Sequence, residues 1–346
     1  MQAVHFSEHG DRDVLAYGEH PDPDIDRDEV LVDVKAGALN YLDIWTRRGL
    51  PGIDLEMPHI PGSDAAGEVL EVGPDVERFE PGDRVAVSAG VSCGTCEYCR
   101  HGEESMCTSF HILGEHVRGV HSELAAVPAD NLVSVPEGVD WETAGAASLV
   151  FQTAWRMLIT RGEIQPGETV LVLGASGGVG HAAVQIADHA GADVFATAST
   201  EAKREYAREL GAEHAIDYEA EDFASRVREL TGKRGVDAVV DHVGAETWRD
   251  SLRSLAKGGR VLTCGATTGA NPETEIRRIF WNQLSVIGST MATPGEVDDA
   301  LSRVWDGDFE VRVRERLPMS EIARAHELLE EREGFGKVVV VPDSEY

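Results

Sequence analysis

Thr169-Val170-Leu171-Val172-Leu173-Gly174-Ala175-Ser176-Gly177-Gly178-Val179-Gly180 is the stretch that decides the fold. An apolar run enters a glycine-rich turn, and a helical pattern starts at Ala182. Strand, tight turn and helix in that order make one βα unit. Read as a dinucleotide fingerprint, Ala175 takes the first glycine place, Gly177 the second and Gly180 the third. Gly177 lets a pyrophosphate approach the backbone, and Gly180 lets the helix pack on the strand. Ser176, Gly178 and Val179 complete the loop, where free N–H groups and the positive end of the helix dipole favour phosphate. A glycine triplet alone says little; between a strand and a helix it points to a dinucleotide.

The same rhythm continues downstream. Candidate strands are Thr169–Leu173, Asp193–Ala198, His214–Asp217, Asp237–Asp241, Arg260–Cys264 and Ser285–Gly288. Helical patterns at about 182–190, 201–210, 221–231 and 246–256 separate the first five. Repeated units of this kind close into a parallel, doubly wound sheet, so the fold class is α/β.

A site for NAD places an Asp or Glu about 20 residues after the glycines, on the ribose 2′-OH. Here that place falls on Ala198, followed by Ser199, Thr200 and, one turn into the next helix, Lys203. Two hydroxyls and a cation suit a 2′-phosphate, so the expected cofactor is NADP(H). Tyr218, closing the next strand, is expected against the adenosine end.

Upstream the pattern changes. The first 135 residues read as short strands broken by Gly and Pro, among them Glu29 to Val34, Ala66 to Val72, Asp83 to Ser88 and Leu132 to Val135. Inside this β-rich part stands Cys93-x2-Cys96-x2-Cys99-x7-Cys107, four of the five cysteines. Four thiolates so close suit a closed tetrahedral zinc site, one per chain, that staples a loop with little core of its own. Disulfides and an iron–sulfur cluster are the alternatives, but the last gap exceeds the bacterial ferredoxin spacing. Cys264 stands alone and is expected as a buried small residue. A long helical pattern runs from Trp141 to about Ile159, and the tail holds two more before a final strand, Lys337–Val341. That strand lies outside the alternation and is expected to return to the N-terminal lobe.

Charge bounds the partners. There are 31 basic and 62 acidic residues among 346, a net charge of −31, and only five of the basic residues are lysines. A surface this negative repels nucleic acid and anionic lipid. At 42% hydrophobic, the chain is not a disordered acidic tail. Acid excess with scarce lysine suits molar salt, where screening weakens self-repulsion, so a halophilic origin is expected. Such a surface also repels NADPH unless cations are placed for it, which gives Lys203 weight. No stretch reaches the roughly 18 apolar residues of a membrane helix, and no secretory signal is visible. A cytoplasmic location is expected.

A β-rich lobe with this cysteine loop, ahead of a Gly-x-x-Gly-x-x-Gly nucleotide domain, resembles the medium-chain dehydrogenase/reductase superfamily over essentially the whole chain. The resemblance implies a GroES-like catalytic domain (1–150 and 290–346) with a structural zinc lobe at about 88–110, and a Rossmann domain (151–289). It also implies an active site in the interdomain cleft, a small-molecule substrate, and a homodimer or homotetramer. In zinc alcohol dehydrogenases of this superfamily, a Cys, a His and a third donor hold a catalytic zinc. Those places fall here on Asn40, Ser63 and Leu149, none of them a usable donor set. Asp43, Asp64, His59 and His116 are what remain for a rearranged site.

Without a Lewis acid, oxidising an alcohol is hard, and reducing an electrophilic acceptor is easier. The segment Asn40-Tyr41-x-Asp43-x-Trp45-x-Arg47-x-Gly49, with Ser199, Thr200 and Lys203, resembles the quinone oxidoreductase and enone reductase branch. That likeness implies hydride transfer from NADPH to a quinone or activated alkene. Asn40 or Tyr41 would stabilise the oxygen where charge develops, Tyr41 or water would supply the proton, and Asp43 is the third candidate catalytic residue. Thr153 would lie near the nicotinamide, and Arg332 and Lys337 would help hold the cofactor phosphate. Two other readings stand beside it: an NADP-dependent alcohol or sugar dehydrogenase with a rearranged zinc site, and a non-catalytic NADPH-binding protein.

Overall fold

In the computed structural model, which describes every residue except Glu333, the apolar alternation of the first lobe becomes a sheet. The chain divides into two units, Met1–Leu149 with Ala292–Tyr346, and Val150–Met291. The first unit opens with a paired β1 (Gln2–His5) and β2 (Ala16–Glu19), then β3 (Glu29–Ala38). Along β3 the side chains of Val30, Val32, Val34 and Ala36 are fully buried, while those between them are half-buried, as period-two geometry requires. A short helix α1 (Tyr41–Arg48) follows, then β4 (Asp64–Val72), β5 (Arg84–Val87), β6 (Gly90–Val91), β7 (His111–Ile112), β8 (Leu124–Pro128) and β9 (Leu132–Ser134). Helix α2 (Trp141–Trp155) runs on into a π-helical stretch, Arg156–Arg161, shortening the regular helix expected to Ile159.

The second unit contains β10 (Thr169–Val172), α3 (Gly178–His189), β11 (Asp193–Ala198), α4 (Glu201–Glu209), β12 (His214–Asp217) and α5 (Phe223–Leu230). It continues with β13 (Val236–Val240), α6 (Trp248–Ser254), β14 (Leu255–Thr263), α7 (Ile276–Asn282) and β15 (Ser285–Gly288). All six strands are parallel, in the order β12-β11-β10-β13-β14-β15. The chain thus builds outward from β10 in one direction, then reverses, and the glycine loop leaves β10 at that reversal. Crevices at such switch points are where doubly wound sheets bind ligands. Leu171, Phe195, Ile216, Val239, Leu252 and Val261 form one apolar core against the sheet.

The tail adds α8 (Pro294–Trp305), β16 (Val313–Pro318), α9 (Ile322–Glu330) and β17 (Lys337–Val341). Strand β17 joins the first sheet, antiparallel to β3 with Val339 opposite Ala38 and parallel to β16. Its Val338–Val341 run is almost wholly buried, each valine contributing about 1.5–3 kcal/mol. The returning strand is therefore an integral part of the first unit. Helices α1 and α7 and strand β16 were not expected. Among the described residues, no helix is long and apolar enough to cross a membrane.

Candidate functional site

The chain turns from strand to helix at Asn40, whose extended backbone makes it the N-cap of α1. Three residues on, Asp43 Oδ2 accepts the Asn40 N–H at 2.7 Å, the acidic half of a capping box. The Asn40 carboxamide faces inward: Nδ2 donates to Asp64 Oδ2 at 2.8 Å and to Ala38 O at 3.5 Å, and Oδ1 accepts from Lys337 Nζ at 2.5 Å. Asp64 also accepts from Lys337 Nζ at 3.1 Å and, through Oδ1, from the Leu149 N–H at 2.8 Å. Asp43 and Asp64 are fully buried, Lys337 is 3% exposed and Asn40 6%. Opposite charges compensate at Asp64 and Lys337, as buried charges must. Burial pushes the Asp43 carboxyl up to about 7; the Asn40 N–H and the Lys337 charge oppose the rise, and Asp64 adds to it.

This geometry rearranges the expected roles. Both amide hydrogens of Asn40 are taken up inside the protein, so Asn40 is not a spare donor. Tyr41, half-buried and set edge-on to Trp45 at 5.4 Å, takes no part in that network. Lys337, expected on the cofactor phosphate, has its ammonium engaged by Asp64 and Asn40. Arg332 lies exposed just past α9, in a left-handed conformation. The Asp64–Lys337 pair spans the chain, which explains why adjacency in sequence did not show it. Its only trace was a lysine opening an apolar strand in a lysine-poor chain.

Asn40, Ser63 and Leu149, the places that the resemblance set against the metal ligands of zinc alcohol dehydrogenases, are tied into this network or its neighbour. Ser63 Oγ donates to Leu113 O at 2.6 Å, where the loop after the cysteines crosses Pro61–Ser63. Contact there is backbone on backbone: a Cβ at Gly114 or Gly119 would stand 2.3 Å from Gly62 O. His59 Nε2 lies 3.1 Å from Gly114 O, and His116 Nδ1 accepts the Ile112 N–H at 3.2 Å. The side chains considered for a rearranged metal site are thus each engaged by the protein.

The four cysteines converge. Their Sγ atoms all lie within 4.8 Å of one another, Cys96 and Cys99 at 3.5 Å, and none forms a disulfide. A tetrahedral zinc with bonds of about 2.3 Å needs sulfurs about 3.8 Å apart, so the set fits. Backbone amides already point at the sulfurs: Cys96 N–H to Cys93 Sγ and Cys93 N–H to Cys107 Sγ, each 3.3 Å, and Ser109 N–H to Cys107 Sγ at 3.4 Å. The Cys99 N–H draws the Cys96 thiol down to about 6, and the Thr95 N–H draws Cys93 down to about 7. Burial pushes Cys99 up to about 11. A bound cation would displace the remaining thiol protons, leaving four thiolates and no open position. Cys264, by contrast, lies half-buried just past β14, its thiol pushed up to about 12 by burial.

In the second unit the loop after β10 turns at Gly174, at φ +57°, rather than at Ala175, which is why alanine is tolerated there. A Cβ at Gly180 would stand 2.1 Å from Gly174 O, so the helix needs glycine to pack. Gly177 is exposed, and a Cβ there would meet only Gly174 O at 3.4 Å. Among the described residues, no side chain caps the α3 N-terminus. An open backbone cradle with uncapped N–H groups fits a dinucleotide pyrophosphate. Thr200 caps α4 by accepting the Lys203 N–H at 3.3 Å, and Ser199 and Lys203 are half-buried beside it. Arg204 pairs with Asp217 at 2.6 Å and with Glu201 at 2.8 Å. Tyr218 is 42% exposed, and the Thr153 hydroxyl, on α2, is buried with no hydrogen-bond partner among the described residues.

Comparison with known proteins covers both units. Residues 26–137 match the alcohol dehydrogenase GroES-like domain, and residues 178–306 match the zinc-binding dehydrogenase family. A quinone oxidoreductase of Pseudomonas aeruginosa is 32% identical over 98% of this chain and 99% of its own. A crystal structure of an NAD-dependent alcohol dehydrogenase is 42% identical with a TM-score of 0.95, covering 99% of each chain. A crotonyl-CoA carboxylase/reductase solved in complex with NADP is 26% identical with a TM-score of 0.92, covering 99% of this chain and 94% of that one.

Proposed function

The chain belongs to the medium-chain dehydrogenase/reductase superfamily, and from that premise we propose that it reduces quinones or activated alkenes with NADPH, without a catalytic metal. One observation carries this reading: a closed hydrogen-bond network of Asn40, Asp64 and Lys337 occupies the segments where zinc relatives carry metal ligands. Asn40, Ser63 and Leu149 offer no thiolate, imidazole or carboxylate to a Lewis acid. Relatives named for quinone and crotonyl-CoA reduction support the acceptor class.

NADPH, when bound, supplies a hydride. Gly177, Gly178 and Val179 would hold the pyrophosphate on backbone N–H groups, and Ser199 and Lys203 would take the 2′-phosphate. In an activated alkene the β-carbon would accept the hydride, the C=C electron pair would move onto the carbonyl oxygen as an enolate, and a proton from Tyr41 or water would complete the saturated product. Tyr41 donates the hydrogen bond that steadies the developing negative oxygen, an interaction stronger in the transition state than before it. Asp43 and Asn40 hold the first turn of α1 under Tyr41. The Cys93, Cys96, Cys99 and Cys107 zinc shapes its loop and does no chemistry.

The likeness to an NAD-dependent alcohol dehydrogenase favours a second reading, alcohol oxidation at a rearranged metal site. Metal analysis beside an acceptor panel separates the two: our reading expects one zinc per chain and NADPH consumed by quinones or enones. Two zincs and chelator-sensitive alcohol oxidation would sink it. We also assign the exposed Ile276, Phe280 and Trp281 on α7, the helix that precedes edge strand β15 in the chain, to contact with a second copy of the chain. Light scattering that returns a single-chain mass would remove that assignment.

A further inference from the structure

An eight-residue helix has little stability of its own, because nucleation is costly and few turns repay it. Helix α1 therefore depends on what holds its ends. At its N-cap, the Asn40 carboxamide is fixed by Asp64 and by Lys337, the first residue of β17. At its C-terminal end, Arg47 is fully buried. Its Nη2 donates to Glu330 Oε1 at 2.5 Å, its Nη1 lies 3.1 Å from His326 Nδ1, and its Nε donates to Gly10 O at 3.3 Å. His326 and Glu330 both belong to α9, the element immediately before β17. The returning C-terminal segment thus grips both ends of the helix that begins with Tyr41.

We infer that Lys337 with Asp64, and Arg47 with His326 and Glu330, form a two-ended clamp that positions α1 and so aims the Tyr41 hydroxyl; in this clamp Lys337 is a positioning residue. The inference rests on the assignment of Tyr41 above. Its physical basis is that a small displacement of a positioned group can cost about 100-fold in rate while leaving binding elsewhere intact. Losing the ammonium would leave Asp64 buried without its cation and Asn40 Oδ1 without its donor, loosening the first turn of the helix.

The test uses the zinc-loaded full-length chain and two readouts: NADPH affinity by fluorescence titration, and kcat with a quinone at saturating NADPH. Lys337→Met is expected to lower kcat about 100-fold with NADPH affinity unchanged, and Lys337→Arg to recover most of the loss. Should Lys337→Met fail to fold, the near-isosteric Asp64→Asn carries the same expectation. Weakened NADPH affinity with kcat preserved would make Lys337 a phosphate ligand and overturn the inference. So would wild-type kcat in both Lys337→Met and Arg47→Met. Tyr41→Phe is read alongside: if it keeps full kcat while Lys337→Met does not, the clamp on α1 stands and the role given to Tyr41 falls.

Discussion

Alanine placed at Gly177 and at Gly180 separates contact with a ligand from packing, three residues apart in one loop. At Gly180 the new methyl would lie 2.1 Å from Gly174 O, 2.8 Å from Gly174 C and 2.9 Å from Ala175 Cα, all backbone atoms. No side chain can swing away, so α3 must lift from β10. Overpacking of this kind costs about 1–3 kcal/mol, more than the helix propensity of alanine returns. At Gly177 the backbone is extended (φ −84°, ψ 174°), a conformation open to any residue, and the methyl meets one oxygen at 3.4 Å. Stability there should hold or rise slightly, since alanine restricts the unfolded chain. The methyl projects into the space a pyrophosphate needs, however, and losing one charge-assisted hydrogen bond of about 1.5–3 kcal/mol weakens affinity by roughly 10–100-fold. Thermal unfolding and NADPH titration of both variants, in molar salt, give the answer. Gly177→Ala should melt like the wild type and bind NADPH poorly; Gly180→Ala should melt several degrees lower. Wild-type NADPH affinity in Gly177→Ala would refute the cradle.

Three further outcomes follow from the site. Cys96→Ser should lose its zinc and expose residues 88–110 to protease, while NADPH affinity, which depends on the other unit, stays as it was. Retained metal would show that the thiols do not form the site. An Ala198→Asp, Lys203→Ala double variant should shift preference from NADPH toward NADH, since it restores an acid for the ribose and removes a cation; an unchanged ratio of the two affinities would contradict the 2′-phosphate assignment. Asp43→Asn tests the buried carboxyl. With a folded value of about 7, well above an unfolded carboxyl, Asp43 adds stability at low pH and loses it as pH rises toward neutrality. The variant should therefore gain on the wild type between about pH 4 and pH 7, by at most about 1.4 kcal/mol per pH unit. Parallel denaturation curves across that range would rule this out.

The Rossmann unit was legible because its strands are short apolar runs and its punctuation is glycine. The β11, β12, β15 and β17 boundaries match the runs read from sequence. Strand β14 begins earlier than expected, at Leu255, since Gly258 and Gly259 look like a turn yet lie within the strand. Helix α1 escaped notice for a physical reason: its buried face carries Asp43, Ile44, Thr46 and Arg47, so charge stands where a helical pattern shows apolar residues. Arg47 is buried only because His326 and Glu330 meet it, and no local window contains those partners; Asp43 is met by the Asn40 N–H three residues away. Strand β16, with Arg314, Glu315 and Arg316 in its middle, was hidden the same way. The cysteine spacing read correctly as a cluster, because ligands for one ion must lie close in sequence when the loop has little core. Asn40 was named as a candidate site position, but the direction of its carboxamide depends on Lys337 and Asp64.

The central claim, reduction of an electrophilic acceptor by NADPH at a site without metal chemistry, is tested most directly by one assay. NADPH and NADH consumption is followed against quinones, small enones and enoyl thioesters across a salt series, on protein of measured zinc content. The account predicts NADPH consumed faster than NADH, a reduced quinone or alkene as product, and one zinc per chain. NADPH that binds but is never consumed, or a second zinc with chelator-sensitive alcohol oxidation in place of that reduction, would contradict it.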